Sequence, residues 1–200
     1  MIHAQNWSPF ILLLIDVQAD FWEPATADAY PDFPENTANL LAFCRRTGLD
    51  ILHLRASFRP DRSDWMARYK LLGKIPCVAG TAGAEVLPCA QAEPGEPIIY
   101  KQSFDGFLQP ELPHHLEENG KRFVLVAGIE SSVCVLLTAM AATQRGYLTA
   151  IVSDCCADNR PAHEHTMGNY RFAFDTVNHA DILASYARWR DDLAALERAA

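Results

Sequence analysis

The chain predicts an α/β fold: three layers, α/β/α, around a mostly parallel, six-stranded, Rossmann-like sheet. Two patterns carry this expectation. Apolar strand-like runs alternate with helical stretches, the rhythm of crossover units that lay parallel strands side by side. Runs such as Ile11–Ile15 are apolar at every position, which suits strands covered on both faces. The 200 residues fit one domain, 1–200.

The elements follow in order. Phe10–Asp16 is an apolar run ending in an acid. Glu35–Thr47 has helical periodicity and is closed by Gly48, the residue that most readily stops a helix. Asp50–Ala56, rich in leucine and isoleucine, is the second strand. Pro97–Lys101 is a short third strand ending in a base. Pro110–Asn119 is helical and stopped by Gly120. Arg122–Ala127 is the fourth strand, Ser132–Arg145 a helix closed by Gly146, and Tyr147–Ser153 the fifth strand. Pro161–Phe172 is expected to be helical, Phe174–Val177 to be a short sixth strand, and Asp181–Arg198 an amphipathic final helix. Ser57–Glu96 is irregular. Its four prolines and four glycines predict a long excursion with one or two short helices, serving as a lid or a subunit contact.

Composition narrows the function classes. A formal net charge of −8 leaves no basic face for nucleic acid. The run Phe10–Ile15 is too short to cross a bilayer. The opening residues lack a basic, apolar, small-residue leader, so a cytoplasmic location is expected. Six cysteines without C-x-x-C spacing make neither a disulfide scaffold nor a zinc site. Cys44, Cys77, Cys89, Cys155 and Cys156 are expected to be reduced and mostly buried.

Cys134 stands apart. It follows the strand-like Val126-Ala127-Gly128 and precedes a helix-competent run, so its thiol falls near a helix N-terminus at the rim of the sheet. A helix N-terminus favours negative charge, which lowers a thiol pKa and stabilises an oxyanion. Ligands in open α/β sheets bind beyond the carboxyl ends of the strands. Asp16, Lys101 and the Cys134 region all fall there. Taken alone, Cys134 reads first as a buried core thiol; the alternatives for Asp16 and Lys101 are a capping or structural acid and a solvated strand-end lysine.

The ordered set of motifs resembles the isochorismatase-like cysteine hydrolases, a family that includes nicotinamidases and N-carbamoylsarcosine amidohydrolases. Leu14-Ile15-Asp16-Val17-Gln18 with Phe21 is similar to the family's opening acid motif. Gly80-Thr81-Ala82-Gly83-Ala84-Glu85 is similar to its G-T-x-G-x-E segment, Tyr100–Phe107 to its lysine motif, and Gly128–Val135 to its nucleophile motif. The resemblance implies a catalytic triad of Asp16, Lys101 and Cys134. It implies an oxyanion hole from the backbone N–H groups of Glu130 and Cys134, a cis peptide between Ile129 and Glu130, and assembly into a homodimer or homotetramer. Phe21 and Phe107 fall at its pocket-near positions, and Gln18 is a further candidate to bind substrate.

The chain also departs from the family. Where nicotinamidases hold a metal with an Asp-x-His pair and a further histidine, this chain has Ala56, Phe58 and Pro76. No metal site and no cofactor are therefore expected. Glu130 replaces a small or apolar residue; it either receives a cationic or N–H-rich substrate group or turns into solvent or a salt bridge. Among Arg55, Arg59 and Arg62, Arg55 is the candidate to hold a carboxylate or ureido oxygen. Phe104 is a further candidate wall of the pocket. Gly80–Gly83 lacks the G-K-[ST] ending of a phosphate loop, and His163 and His165 offer too few ligands for a metal. The reading is a metal-independent cysteine hydrolase of a small amide or ureide. A vinyl-ether hydrolase acting on an isochorismate-type substrate and a non-catalytic scaffold are the alternatives.

Overall fold

A computed structural model describes residues 5–199. Its centre is a six-stranded, all-parallel sheet in the order β3-β2-β1-β4-β5-β6. The strands are β1 Phe10–Ile15, β2 Asp50–Ala56, β3 Ile98–Lys101, β4 Phe123–Ile129, β5 Leu148–Ala157 and β6 Asp175–Val177. Every residue of β1 and β4 is buried, as cover on both faces requires. The order reverses between β1 and β4, leaving a crevice at their carboxyl ends. Gly128 makes their close approach possible: it sits at φ +131°, and a Cβ there would lie 1.9 Å from the Ile15 carbonyl oxygen.

The helices are α1 Pro24–Ala29, α2 Phe33–Thr47, α3 Ala67–Leu72, α4 Glu111–Glu118, α5 Leu136–Gln144, α6 Arg160–Asn169 and α7 Ile182–Ala199. α2 packs on β2 and β5, and α5 on β4 and β5. α7 seals the core through fully buried Trp189, whose ring lies 4.7 Å from that of Phe123 and 6.3 Å from that of Phe10. Among the described residues no helix is long and apolar enough to cross a membrane.

Several boundaries differ from expectation. α2 begins two residues early, at Phe33, because Pro34 is tolerated in a first turn, where its missing N–H costs nothing. The helix expected over Ser132–Arg145 opens with one wide π turn, Ser131–Val135, before α5. β5 runs to Ala157 rather than Ser153: the β4–β5 register shifts between Val126 and Gly128, so β5 bulges and then resumes pairing at Cys156. α6 ends at Asn169, short of Phe172, after the weak helix formers Gly168 and Asn169.

The excursion after β2 carries α3 and two single 3₁₀ turns, Ala82–Ala84 and Pro88–Ala90. It is stitched back by isolated bridges pairing Phe58 with Val78 and Gln18 with Val86. Ala56, Phe58, Trp65 and Cys77 form a second small core, with Met66, Tyr69 and Ile75 packed against it. This layer roofs the crevice beside β1.

Candidate active site

Three chain segments converge under that roof. β1 ends at Asp16, where the backbone turns through φ +50°, a left-handed conformation that aspartate tolerates better than most residues. The turn aims a fully buried carboxylate across the strand ends. Its Oδ1 accepts the Ala56 N–H at 2.8 Å, and its Oδ2 accepts from Lys101 Nζ at 2.6 Å. Lys101 closes β3 and is 1% exposed. Its ammonium spends all three donors: on Asp16, on the Ser103 carbonyl at 2.9 Å, and on Cys134 Sγ at 3.4 Å. Cys134 lies in the π turn that begins α5, a distortion that often marks functional sites.

Electrostatics tie the three groups together. Burial works against the Lys101 ammonium, but the Asp16 and Cys134 charges outweigh it and raise its pKa. Burial, joined by the Asp16 carboxylate, holds the Cys134 thiol well above its usual range, with Lys101 opposing. This corrects the expectation that the helix terminus lowers that pKa. Desolvation and a full negative charge nearby outweigh the half-charge of a helix end. These directions favour the ammonium form of Lys101 and the protonated thiol of Cys134. A buried Asp–Lys pair stabilises a fold little or not at all relative to apolar packing, so its place beside a thiol is better explained by chemistry than by stability.

The cluster forms one end of a cavity of about 280 Å³. Phe21, Phe58, Tyr69, Phe104 and Glu130 line it. The Ile129–Glu130 peptide is cis. Ala56, Phe58 and Pro76 face the cavity with no donor for a metal. Elsewhere, Asp154, Cys155 and His179 bring potential ligand atoms within 4.8 Å of one another. Hydrogen bonding accounts for Asp154 and His179: Asp154 accepts the His179 backbone N–H at 2.8 Å and approaches its Nδ1 at 2.6 Å, fastening β5 to the turn before α7.

Three predicted pocket residues lie elsewhere. Gln18 is 1% exposed, and its amide is consumed by backbone: Nε2 donates to Ala56 and Ala84 carbonyls, and Oε1 accepts the Ala56 N–H. It clamps the roof rather than substrate. Phe107 is buried away from the cavity, beneath the Arg145 guanidinium at 4.8 Å and near Tyr147. Arg55 precedes Ala56 on β2, and successive strand residues face opposite ways; Ala56 takes the cavity side and Arg55 lines a separate crevice with Val17 and Val86. Arg59 pairs with Asp64, and Arg62 covers the Trp65 ring.

The sequence reading missed the supports of the turn that carries Cys134. Asp158, just past β5, accepts from Ser132 N at 2.8 Å and Ser132 Oγ at 2.6 Å. His163 is half-buried. Its Nδ1 lies 2.8 Å from Ser131 Oγ, its ring sits edge-on to Tyr30, and burial lowers its pKa. The paired serines next to the cysteine were the available signal, but their partners lie 26 and 32 residues away. Gly83 packs against Asp20, whose Oδ2 accepts the Cys77 N–H, so the Gly80–Gly83 stretch is a packing turn.

The Isochorismatase domain family model matches residues 10–181. The chain is 27% identical over 154 residues to maleamate amidohydrolase of Pseudomonas putida, covering 74% of this chain and 71% of that protein. It is 26% identical over 166 residues to nicotinamidase 3 of Arabidopsis thaliana, covering 82% and 81%. The crystal structure of an isochorismatase family protein from Desulfovibrio vulgaris superposes with a TM-score of 0.81 at 28% identity, over 90% of this chain and 98% of that one. With the family model spanning the whole sheet and Asp16, Lys101 and Cys134 alike, the chain belongs to the isochorismatase family.

Proposed function

We propose that this protein is a metal-independent cysteine hydrolase that cleaves a C–N bond in a small amide or ureide through a thioester. The observation that carries the reading is Lys101 Nζ bridging Asp16 Oδ2 at 2.6 Å and Cys134 Sγ at 3.4 Å beside a cavity. A high thiol pKa is compatible with this chemistry, because the proton need only leave as the bond to carbon forms.

Asp16 takes the thiol proton as Cys134 Sγ attacks the carbonyl carbon. The Lys101 ammonium compensates the negative charge, which moves from carboxylate to sulfur. The carbonyl oxygen becomes an oxyanion facing the backbone N–H groups of Glu130 and Cys134. Collapse breaks the C–N bond, and Asp16 returns the proton to the departing nitrogen. Water, deprotonated by Asp16, then attacks the thioester, and the acid and free thiol emerge. Ala56, Phe58 and Pro76 give the cavity an apolar surface that suits binding without a metal.

The test is ammonia release across a panel of small amides and ureides, comparing wild type with Cys134→Ala. Turnover that falls by about 10³-fold or more in the variant is expected. Vinyl-ether cleavage surviving in Cys134→Ala would favour the isochorismate-type alternative. A panel with no turnover and a Cys134 no more reactive than the other cysteines would favour the scaffold.

A further inference from the structure

The charges of the cavity indicate which amides it admits. Asp16, Lys101 and Cys134 are committed to one another. The one other charged group lining the cavity, among the described residues, is Glu130. Its half-buried carboxylate has no hydrogen-bond or ion-pair partner among the described residues. Burial first, then the charges of Asp158, Asp16 and Glu23, raise its pKa, so every named neighbour is negative. Its charge also reaches the Tyr69 hydroxyl across the cavity.

Glu130 and Phe21 also line a second cavity of about 400 Å³ on their far side. Asp20, Glu23 and Asp158 contribute to that cavity, with Arg160 as its one basic residue. The Arg160 guanidinium is engaged by other groups, donating to the Ala29 carbonyl at 2.7 Å and lying 5.7 Å over the Tyr30 ring. The two cavities thus meet at an unpaired carboxylate next to the nucleophile turn, with aromatic faces on one side and acids on the other.

We propose that the substrate is a cationic amide or ureide, and that Glu130 receives its protonated amine or guanidinium where the two cavities meet. This rests on the hydrolase reading above. A cation would supply the ion pair that Glu130 lacks, and the aromatic walls favour a cation over their faces. A carboxylate in the same place would meet Glu130 and the acids beyond it, so anionic amides are rejected by repulsion as well as by lack of contacts.

The test uses three amides of matched length: 5-aminopentanamide, hexanamide and 5-carboxypentanamide. Wild type should prefer the first over the second by about 10-fold or more in kcat/KM and should process the third least. Glu130→Gln keeps the backbone N–H and should bring the first two together. Equal or better turnover of the neutral or anionic amide by wild type would overturn the cation proposal and leave the hydrolase reading standing. If none of the three is turned over, protection of Cys134 from iodoacetamide decides independently. Hexylammonium should slow alkylation more than hexanol does in wild type, and equally in Glu130→Gln. Equal protection in wild type would overturn the proposal.

Discussion

Asp16 and Lys101 pull the Cys134 thiol in opposite directions, and their removal should separate nucleophile formation from turnover. Asp16→Asn keeps an acceptor for the Ala56 N–H but deletes the charge that raises the thiol pKa. Lys101 then faces sulfur without competition. The pH profile of Cys134 alkylation by iodoacetamide should therefore shift to lower pH, while amide turnover falls by at least about 100-fold for want of a proton carrier. An unmoved alkylation profile would mean that the carboxylate does not govern the thiol. Burial also raises the pKa of Cys44, Cys77, Cys89, Cys155 and Cys156, so Cys134 is distinguished by its cavity and by Lys101, not by burial alone. At this scale the sequence was partly legible. Asp16, Lys101 and Cys134 each follow a strand, so the topology could be used to bring them together. The misplacement of Gln18, Arg55 and Phe107 has one cause: a linear motif says that a side chain is near the strand ends but not which way it points. Backbone groups claimed Gln18, strand alternation turned Arg55 away, and Arg145 covers Phe107.

Single side chains also fasten the elements. Glu96, just before β3, accepts from Arg45 of α2 at 2.7 Å, lies 2.9 Å from His53 Nε2 of β2, and accepts the Glu93 N–H. Burial acts to raise its pKa, but Arg45, the Glu93 N–H and His53 overcome this and depress it to about 2. Because the folded value lies below the unfolded value near 4.5, its stabilisation is present above pH ~4.5 and is lost as pH falls toward about 2. Urea-unfolding midpoints should therefore decline across this window, and Glu96→Gln should flatten the decline. An identical slope in the variant would remove Glu96 from the account. The main elements were legible because β1 and β4 are apolar throughout and the helices end at glycines such as Gly48. What was not legible has physical reasons. The β5 bulge depends on pairing with β4, α1 is a single short helix without long periodicity, and the π turn at Cys134 is held by Asp158 and His163 from the far side of β5.

Across the whole molecule, the net charge of −8 extends the local preference of Glu130 outward. A surplus of negative charge attracts cations over roughly a Debye length, about 30 Å at 10 mM salt but only about 10 Å at 0.1 M. Two effects then act on a cationic amide: long-range attraction, which salt screens, and contact with Glu130 inside a confined cavity, which salt screens less. They are separable. Raising sodium chloride from about 10 mM to about 500 mM should lower kcat/KM several-fold for the cationic amide, 5-aminopentanamide, and leave it level for neutral hexanamide. Glu130→Gln removes one charge of the surplus, so its salt slope should remain close to that of wild type even as its preference for the cation collapses. If the salt slope vanished together with the preference, the attraction would reside wholly at Glu130, and the surrounding acids Asp20, Glu23 and Asp158 would play no part in guiding substrate to the cavity.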